Sequence, residues 1–143
     1  MSNLTITPTR NFGLIRSLNE TLFGDEYWIE GLTKSHCWIA RTESGEIAGF
    51  AVLQVVDGGR SAFLSRVGVL RAYRGQGLQK RFIRVRERKA KQLGCEYLIT
   101  YTDRENLASS NSLIACGYKL YTPERVWGLP RSESLYWWRK VSP

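Results

Sequence analysis

The stretch that most limits how this chain can fold runs from residue 63 to residue 94. It joins an apolar run, 63–70, through Arg74-Gly75-Gln76-Gly77-Leu78-Gln79 to a long basic amphipathic pattern that Gly94 stops. An apolar run feeding a glycine turn that opens a helix reads as a strand-to-helix junction. Gly75 and Gly77 remove the side chains that would keep backbone N–H groups away from an anion. The first turn of the helix adds unpaired donors and the positive end of its dipole. The turn is therefore a candidate cradle for a phosphate-bearing ligand, although glycines also sit at such junctions for conformational reasons alone.

Along the helix, Leu78, Phe82, Val85, Ala90 and Leu93 recur at near-helical spacing, and Lys80, Arg81, Arg84, Arg88 and Lys91 fall largely on the other side. Residues 71–91 hold nine Lys or Arg and one acid, Glu87, a balance of +8; the other residues carry twelve of each sign, so the whole net charge of +8 sits in this segment. Such a run is consistent with a solvated helix face, and near the turn Arg74 and Lys80 are placed to meet a polyanion.

With 143 residues, 43% of them hydrophobic, the chain suits one domain over 1–143 with a sizeable core. No apolar stretch approaches the roughly 20 residues needed to span a bilayer, and the polar N-terminus lacks a secretory pattern, so a cytoplasmic protein without membrane contact is expected. Cys37, Cys95 and Cys116 are odd in number and widely spaced, and His36 has no partner at ligand-like spacing. Neither a disulfide framework nor a metal site is expected.

The remaining pattern predicts a first helix over 8–22, a short helix or loop rich in acids and aromatics over 21–35, and strands at 37–42 and 47–56 about the turn Glu43-Ser44-Gly45-Glu46. After a turn at Asp57-Gly58-Gly59-Arg60 come a strand at 62–70, the basic helix, a strand at 97–102, a helix at 106–116, a short strand at 118–121 and a last strand at 135–141. This order points to an α/β domain with a mixed sheet.

Val67-Gly68-Val69-Leu70-Arg71-Ala72-Tyr73-Arg74-Gly75-Gln76-Gly77-Leu78 resembles the acetyl-CoA-binding strand, turn and helix of the GNAT superfamily of N-acetyltransferases, with the Gln/Arg-x-x-Gly-x-Gly/Ala signature falling on Arg74, Gly77 and Gln79. Asn106, eleven residues before Gly117-Tyr118, resembles the same superfamily's helix that starts near an Asn and ends in Gly-Phe or Gly-Tyr. The resemblance implies a GNAT-like mixed, mostly antiparallel twisted sheet flanked by helices. It implies acetyl-CoA as co-substrate, held by Val67, Gly68, Val69, Arg74, Gly75, Gln76, Gly77, Leu78, Gln79, Lys80 and Asn106. Gln79 departs from the small residue the signature prefers. The family's usual acid position is Leu113, and a base position some members use is Tyr101.

A protonated lysine-like amine has a pKa of about 10.4 and must lose its proton before it attacks a thioester. The leaving thiol, near about 8.5, departs as a thiolate with little help, so a missing acid is tolerable. For the base, Glu43, Glu46, Tyr101 and Asp103 are candidates, with Ser65 or Tyr118 to hold a water; turn, cap and packing roles compete for each. Cys116, on an apolar helix face without a nearby His, reads as a small hydrophobe, so direct transfer is expected.

In the resembled family the N-terminal helical region and the last hairpin frame the acceptor. Here these carry Asp25, Glu26, Tyr27, Trp28 and Glu30, and Tyr136, Trp137 and Trp138, which suit a cationic amine on a small molecule or protein. Acylation of the amino group of aminoacyl-tRNA, with the basic helix on phosphates, is an alternative; so are a non-catalytic acetyl-CoA-binding module and a nucleic-acid binder without cofactor. The last strand and its Trp pair suit a monomer's core or a homodimer interface equally.

Overall fold

The computed structural model describes residues 3–24, 29–127 and 134–141. Among them the elements follow as β1 (Thr5–Thr9), α1 (Phe12–Phe23), β2 (His36–Arg41), β3 (Ile47–Val56), β4 (Ser61–Val69), α2 (Leu78–Gln92), β5 (Tyr97–Asp103), α3 (Leu107–Ala115), β6 (Lys119–Tyr121) and β7 (Ser134–Lys140). The strands form one sheet in the order β1-β2-β3-β4-β5-β7-β6. β4 and β5, joined through α2, pair in parallel, while β1–β2, β2–β3, β5–β7 and β7–β6 are antiparallel. The fold is thus a mixed, mostly antiparallel sheet flanked by helices. The chain forms two compact units, one of Met1–Gln54 with Ser65–Phe82 and one of Val55–Leu64 with Ile83–Pro143.

In the first unit, the chain opens with a strand where the sequence pattern predicts a helix from residue 8. Thr5, Thr7 and Thr9 alternate with Ile6 and Pro8, and the segment pairs with β2 from Thr5↔Arg41 to Thr9↔Cys37. β1 lies at the sheet's edge, where a proline without an N–H is tolerated. Asn11 then ends the strand and starts the helix, its Oδ1 accepting from the Leu14 N–H at 3.1 Å. α1 lays Ile15 into a core of Leu32, Cys37, Ile39, Phe50 and Val52, flanked by Leu14, Leu18 and Leu22. Each fully buried aliphatic side chain of this kind contributes about 1.5–3 kcal/mol. Of the element expected over 21–35, one 3₁₀ turn, Leu32–Lys34, is present among the described residues.

Two glycines set how closely β3 and β4 approach. A Cβ on Gly49 would stand 2.5 Å from the Gly68 carbonyl oxygen and 3.3 Å from the Phe82 ring. A Cβ on Gly68 would stand 2.6 Å from the Phe50 ring and 2.7 Å from Leu22 Cδ1. Within this unit α1 therefore covers the Phe50 face and the first turn of α2 covers the opposite one.

In the second unit, β4 begins alongside β5 with Ser61↔Tyr97, Ala62↔Leu98 and Phe63↔Ile99. Alternation along β5 sends Leu98, Thr100 and Thr102 to the α3 side, where the Thr102 and Ser110 hydroxyls lie 3.3 Å apart. Asn106 caps α3, its Oδ1 accepting from the Ser109 N–H at 3.2 Å, and Gly117, at φ 87°, turns the chain out of it. On α2 the buried stripe holds Phe82, Ile83 and Ala90 but also Arg86, which is 2% exposed. Four-residue spacing from Phe82 puts Arg86 inward, and burial pulls its guanidinium down to about 10. Glu87 takes a hydrogen bond from Arg84 at 2.8 Å and another from Arg139, tying α2 to β7. Leu93, expected on the apolar stripe, is 41% exposed.

Candidate functional site

The glycine turn is built in steps from the end of β4. The Leu70 N–H donates to the Ala48 carbonyl at 2.9 Å, and a 3₁₀ turn, Arg71–Tyr73, follows with Tyr73 N–H on the Leu70 carbonyl at 2.9 Å. Arg74 folds back so that its Nε–H donates to the Val69 carbonyl at 3.0 Å, which closes a ring across the turn. The Tyr73 hydroxyl donates to Glu46 at 2.8 Å, and that bond raises the pKa of the phenol.

Gly75 and Gly77 both stand at φ 79°, the left-handed region that favours glycine, and among the described residues nothing beyond the adjoining ones lies within 4 Å of where a Cβ would be at either. The space over the turn is open to a ligand. The Arg81 N–H donates to the Gly77 carbonyl at 3.2 Å, so the helical ladder starts there and the N–H groups just before Arg81 precede it. Leu78 at 2% and Phe82 at 0% exposure anchor this first turn, while Arg71, Arg74, Lys80 and Arg81 are exposed around it. A glycine turn, a helix N-terminus and four cations make this a candidate anion cradle, with a geometry that fits a phosphate-bearing group. Val67, Gly68 and Val69 lead into it from β4, and Gln76 and Gln79 lie within it.

The expected proton carriers occupy separate places. In the first unit, Glu43 is exposed and accepts from Asn3 Nδ2 at 3.0 Å, whereas Glu46 joins the cradle through Tyr73. In the second unit, Asp103 closes β5, its carboxylate accepting from the Glu105 N–H at 2.9 Å, and Asn106 follows as the α3 cap. Tyr118 is 4% exposed, its hydroxyl buried without a hydrogen-bond partner among the described residues. Burial drives its pKa well above the ordinary tyrosine range and Glu87 adds to the rise, so the phenol stays protonated. Leu113, at the family's acid position, is buried, and its carbonyl accepts from the Tyr118 N–H at 3.0 Å.

Tyr101 stands in an aromatic cluster that sequence reasoning did not assemble. Its ring stacks on Phe63 at 5.7 Å and meets Trp127 edge-on at 5.3 Å; Trp127 in turn contacts Phe63, and Tyr136 lies 5.5 Å from it. Trp127 Nε1–H donates to the Tyr121 hydroxyl at 3.0 Å. Strand parity decides which β7 ring joins, because Tyr136 lies opposite Tyr101 and Trp137 opposite Thr100. Trp137, expected at the acceptor, is instead 3% exposed on the α3 side, its Nε1–H spent on Thr102 Oγ1 at 2.9 Å. Of the other residues expected there, Asp25, Glu26, Tyr27 and Trp28 lie outside the described residues.

Among the described residues, no three His, Cys, Asp or Glu side chains gather as metal ligands, and no helix is long and apolar enough to cross a membrane. The pattern of the Acetyltransferase (GNAT) family matches residues 6–118. No curated protein matches the chain. Among solved structures, an IAA acetyltransferase from Bacillus cereus is similar at 14% identity and a TM-score of 0.77, over 97% of this chain and 100% of that one. A protein from Salmonella typhimurium solved with its cofactor acetyl-CoA is similar at 16% identity and 0.75, over 97% and 94%. The ribosomal-protein-S18-alanine N-acetyltransferase of Escherichia coli gives 17% and 0.74, over 99% and 96%. At these identities the likeness is one of fold.

Proposed function

The chain belongs to the GNAT acetyltransferase family, and from that premise we propose that it transfers the acetyl group of acetyl-CoA to a primary amine by direct attack on the thioester. The observation that carries this reading is the cradle, with Gly75 and Gly77 at φ 79° under open space at the start of α2. Acetyl-CoA, when bound, supplies an acetyl thioester already activated towards amines. Backbone N–H groups of Gly75 to Lys80 would hold its phosphates, helped by the charges of Arg74 and Lys80. Main-chain donors of Val67 to Val69 are assigned to the carbonyl oxygen as it gains negative charge. On the resemblance, the Asn106 amide is assigned to the cofactor's arm.

The chain's own part is to orient the amine and remove its proton. A buried neutral phenol such as Tyr118 cannot serve as a base near neutral pH, which leaves Glu43, Glu46, Tyr101 and Asp103, directly or through water. Glu46 has the geometry that best suits a positioning role, through Tyr73.

Calorimetry with acetyl-CoA tests the reading. Wild type should bind at micromolar affinity. Gly77→Asp should lose binding through bulk and charge, and Gly77→Ala, equally strained but small and uncharged, should lose less. Folded wild type that fails to bind would overturn it. Binding without acetyl release to any amine would leave a non-catalytic module.

A further inference from the structure

α3 buries one side and exposes the other. Its buried residues are Ser110 and Leu113, while Leu107 is 67% exposed and Ile114 57% exposed. Ala108, Asn111 and Ala115 are exposed as well. At about 100° per residue, these five positions fall within an arc of about 120° centred on Asn111.

The helix carries no charged side chain, with no acid in its first turn and no base in its last. A helix that only faces water gains from an acid near its start and a base near its end, and α3 has Leu107 and Ile114 at those places. In a chain of net charge +8, an exposed helix face that is apolar and uncharged has the composition of a contact surface.

The face is also self-complementary. Counted outward from Asn111, each direction holds one large and one small side chain at three and four residues, Ala108 and Leu107 one way, Ile114 and Ala115 the other. When two copies of α3 lie antiparallel and level at Asn111, Leu107 of each meets Ile114 and Ala115 of the other, and Ala108 meets Ala115. The two Asn111 amides meet at the twofold axis, where each offers both a donor and an acceptor. Small side chains along one edge let the helix axes approach, and a single polar residue in an apolar seam fixes register. A charged macromolecule finds no counter-charge on this face.

We propose that α3 is the seam of a homodimer, two copies packing antiparallel about Asn111. Nine residues make a helix about 13.5 Å long, and a contact of that length buries less than the roughly 1,200 Å² at which stable interfaces begin. The dimer is therefore a weak one, formed at about 100 μM and dissociated at about 1 μM. Each copy carries +8, so salt screens their repulsion and strengthens the dimer.

Sedimentation of the full chain from about 5 to about 500 μM tests this, with Leu107→Glu and Ile114→Lys as variants. Each places a charge where the helix dipole favours it, so both should melt no lower than wild type. Each alone sets unpaired charges in the seam and should weaken association about ten-fold or more, although the two change the net charge in opposite directions. The double variant has the net charge of wild type and sets each new acid against the new lysine of the other copy, so it should recover most of the association. Mixing the two single variants should likewise give a heterodimer. Wild type that stays monomeric at about 500 μM, or a dimer that both single variants leave intact, would overturn the proposal. So would a folded double variant and a mixture that both stay monomeric, because the antiparallel register is what brings the two positions together.

Discussion

Gly49 and Gly68 matter through what they lack. The two added methyl groups would not be equivalent, because the Gly68 methyl would meet the tips of Phe50 and Leu22, which can rotate, whereas the Gly49 methyl would meet the backbone oxygen of Gly68. Overpacking of this kind costs about 1–3 kcal/mol. Gly49→Ala is expected at the upper end of that range and Gly68→Ala at the lower, read as urea midpoints with unchanged slopes. Equal stability of the two variants would show that β3 can shift to admit the Gly49 methyl.

At the scale of elements, one side chain has two claims on it. Asn106 caps α3 through Oδ1, and its Nδ2 is the group the resemblance assigns to acetyl-CoA. Asn106→Asp keeps an acceptor at the cap but has no amide donor, while Asn106→Ala loses both; the cap is worth about 1 kcal/mol. Asn106→Asp should therefore melt like wild type yet bind acetyl-CoA more weakly. Asn106→Ala should lose both stability and binding, and full affinity in the Asp variant would leave Asn106 a cap only. The elements differ in how far the sequence exposes them. The glycine turn at the start of α2 was legible because glycines and a helix start act through the main chain, and the α2 stripe because its period is helical. β1 was hidden by Pro8, whose missing hydrogen bond matters little on an edge strand that only the assembled sheet defines. Arg86 entered the sequence pattern only as part of the segment's charge, although its four-residue spacing from Phe82 put it on the buried side. The choice of Tyr136 over Trp137 beside Tyr101 depends on cross-strand register, which no local pattern contains.

For the molecule as a whole, alkaline pH probes burial in both units. Burial pushes the Cys37 thiol up from 9.0 to about 11, and it raises Tyr118 from its ordinary value near 10.0. Both groups hold their proton longer folded than unfolded, so the native state binds more protons above pH 9 and stability falls as pH rises. Their contribution is complete below about pH 9 and is lost from there through about pH 11, with Tyr118 extending the loss upward. Arg86 works the other way, because its folded value of about 10 lies below 12.5; the unfolded chain then binds the extra proton and the penalty for burying the charge eases above pH 10. The fall should therefore be steepest near pH 10, where the thiol's folded and unfolded states differ most and Tyr118 offsets Arg86. Urea unfolding from pH 8 to 11 should show this slope in wild type, a shallower one in Cys37→Ala from pH 9 upward, and a shallower one in Tyr118→Phe only beyond pH 10. A flat profile in wild type would mean that the thiol and the phenol are reached by solvent in the native state, and the burial assigned to both would be wrong.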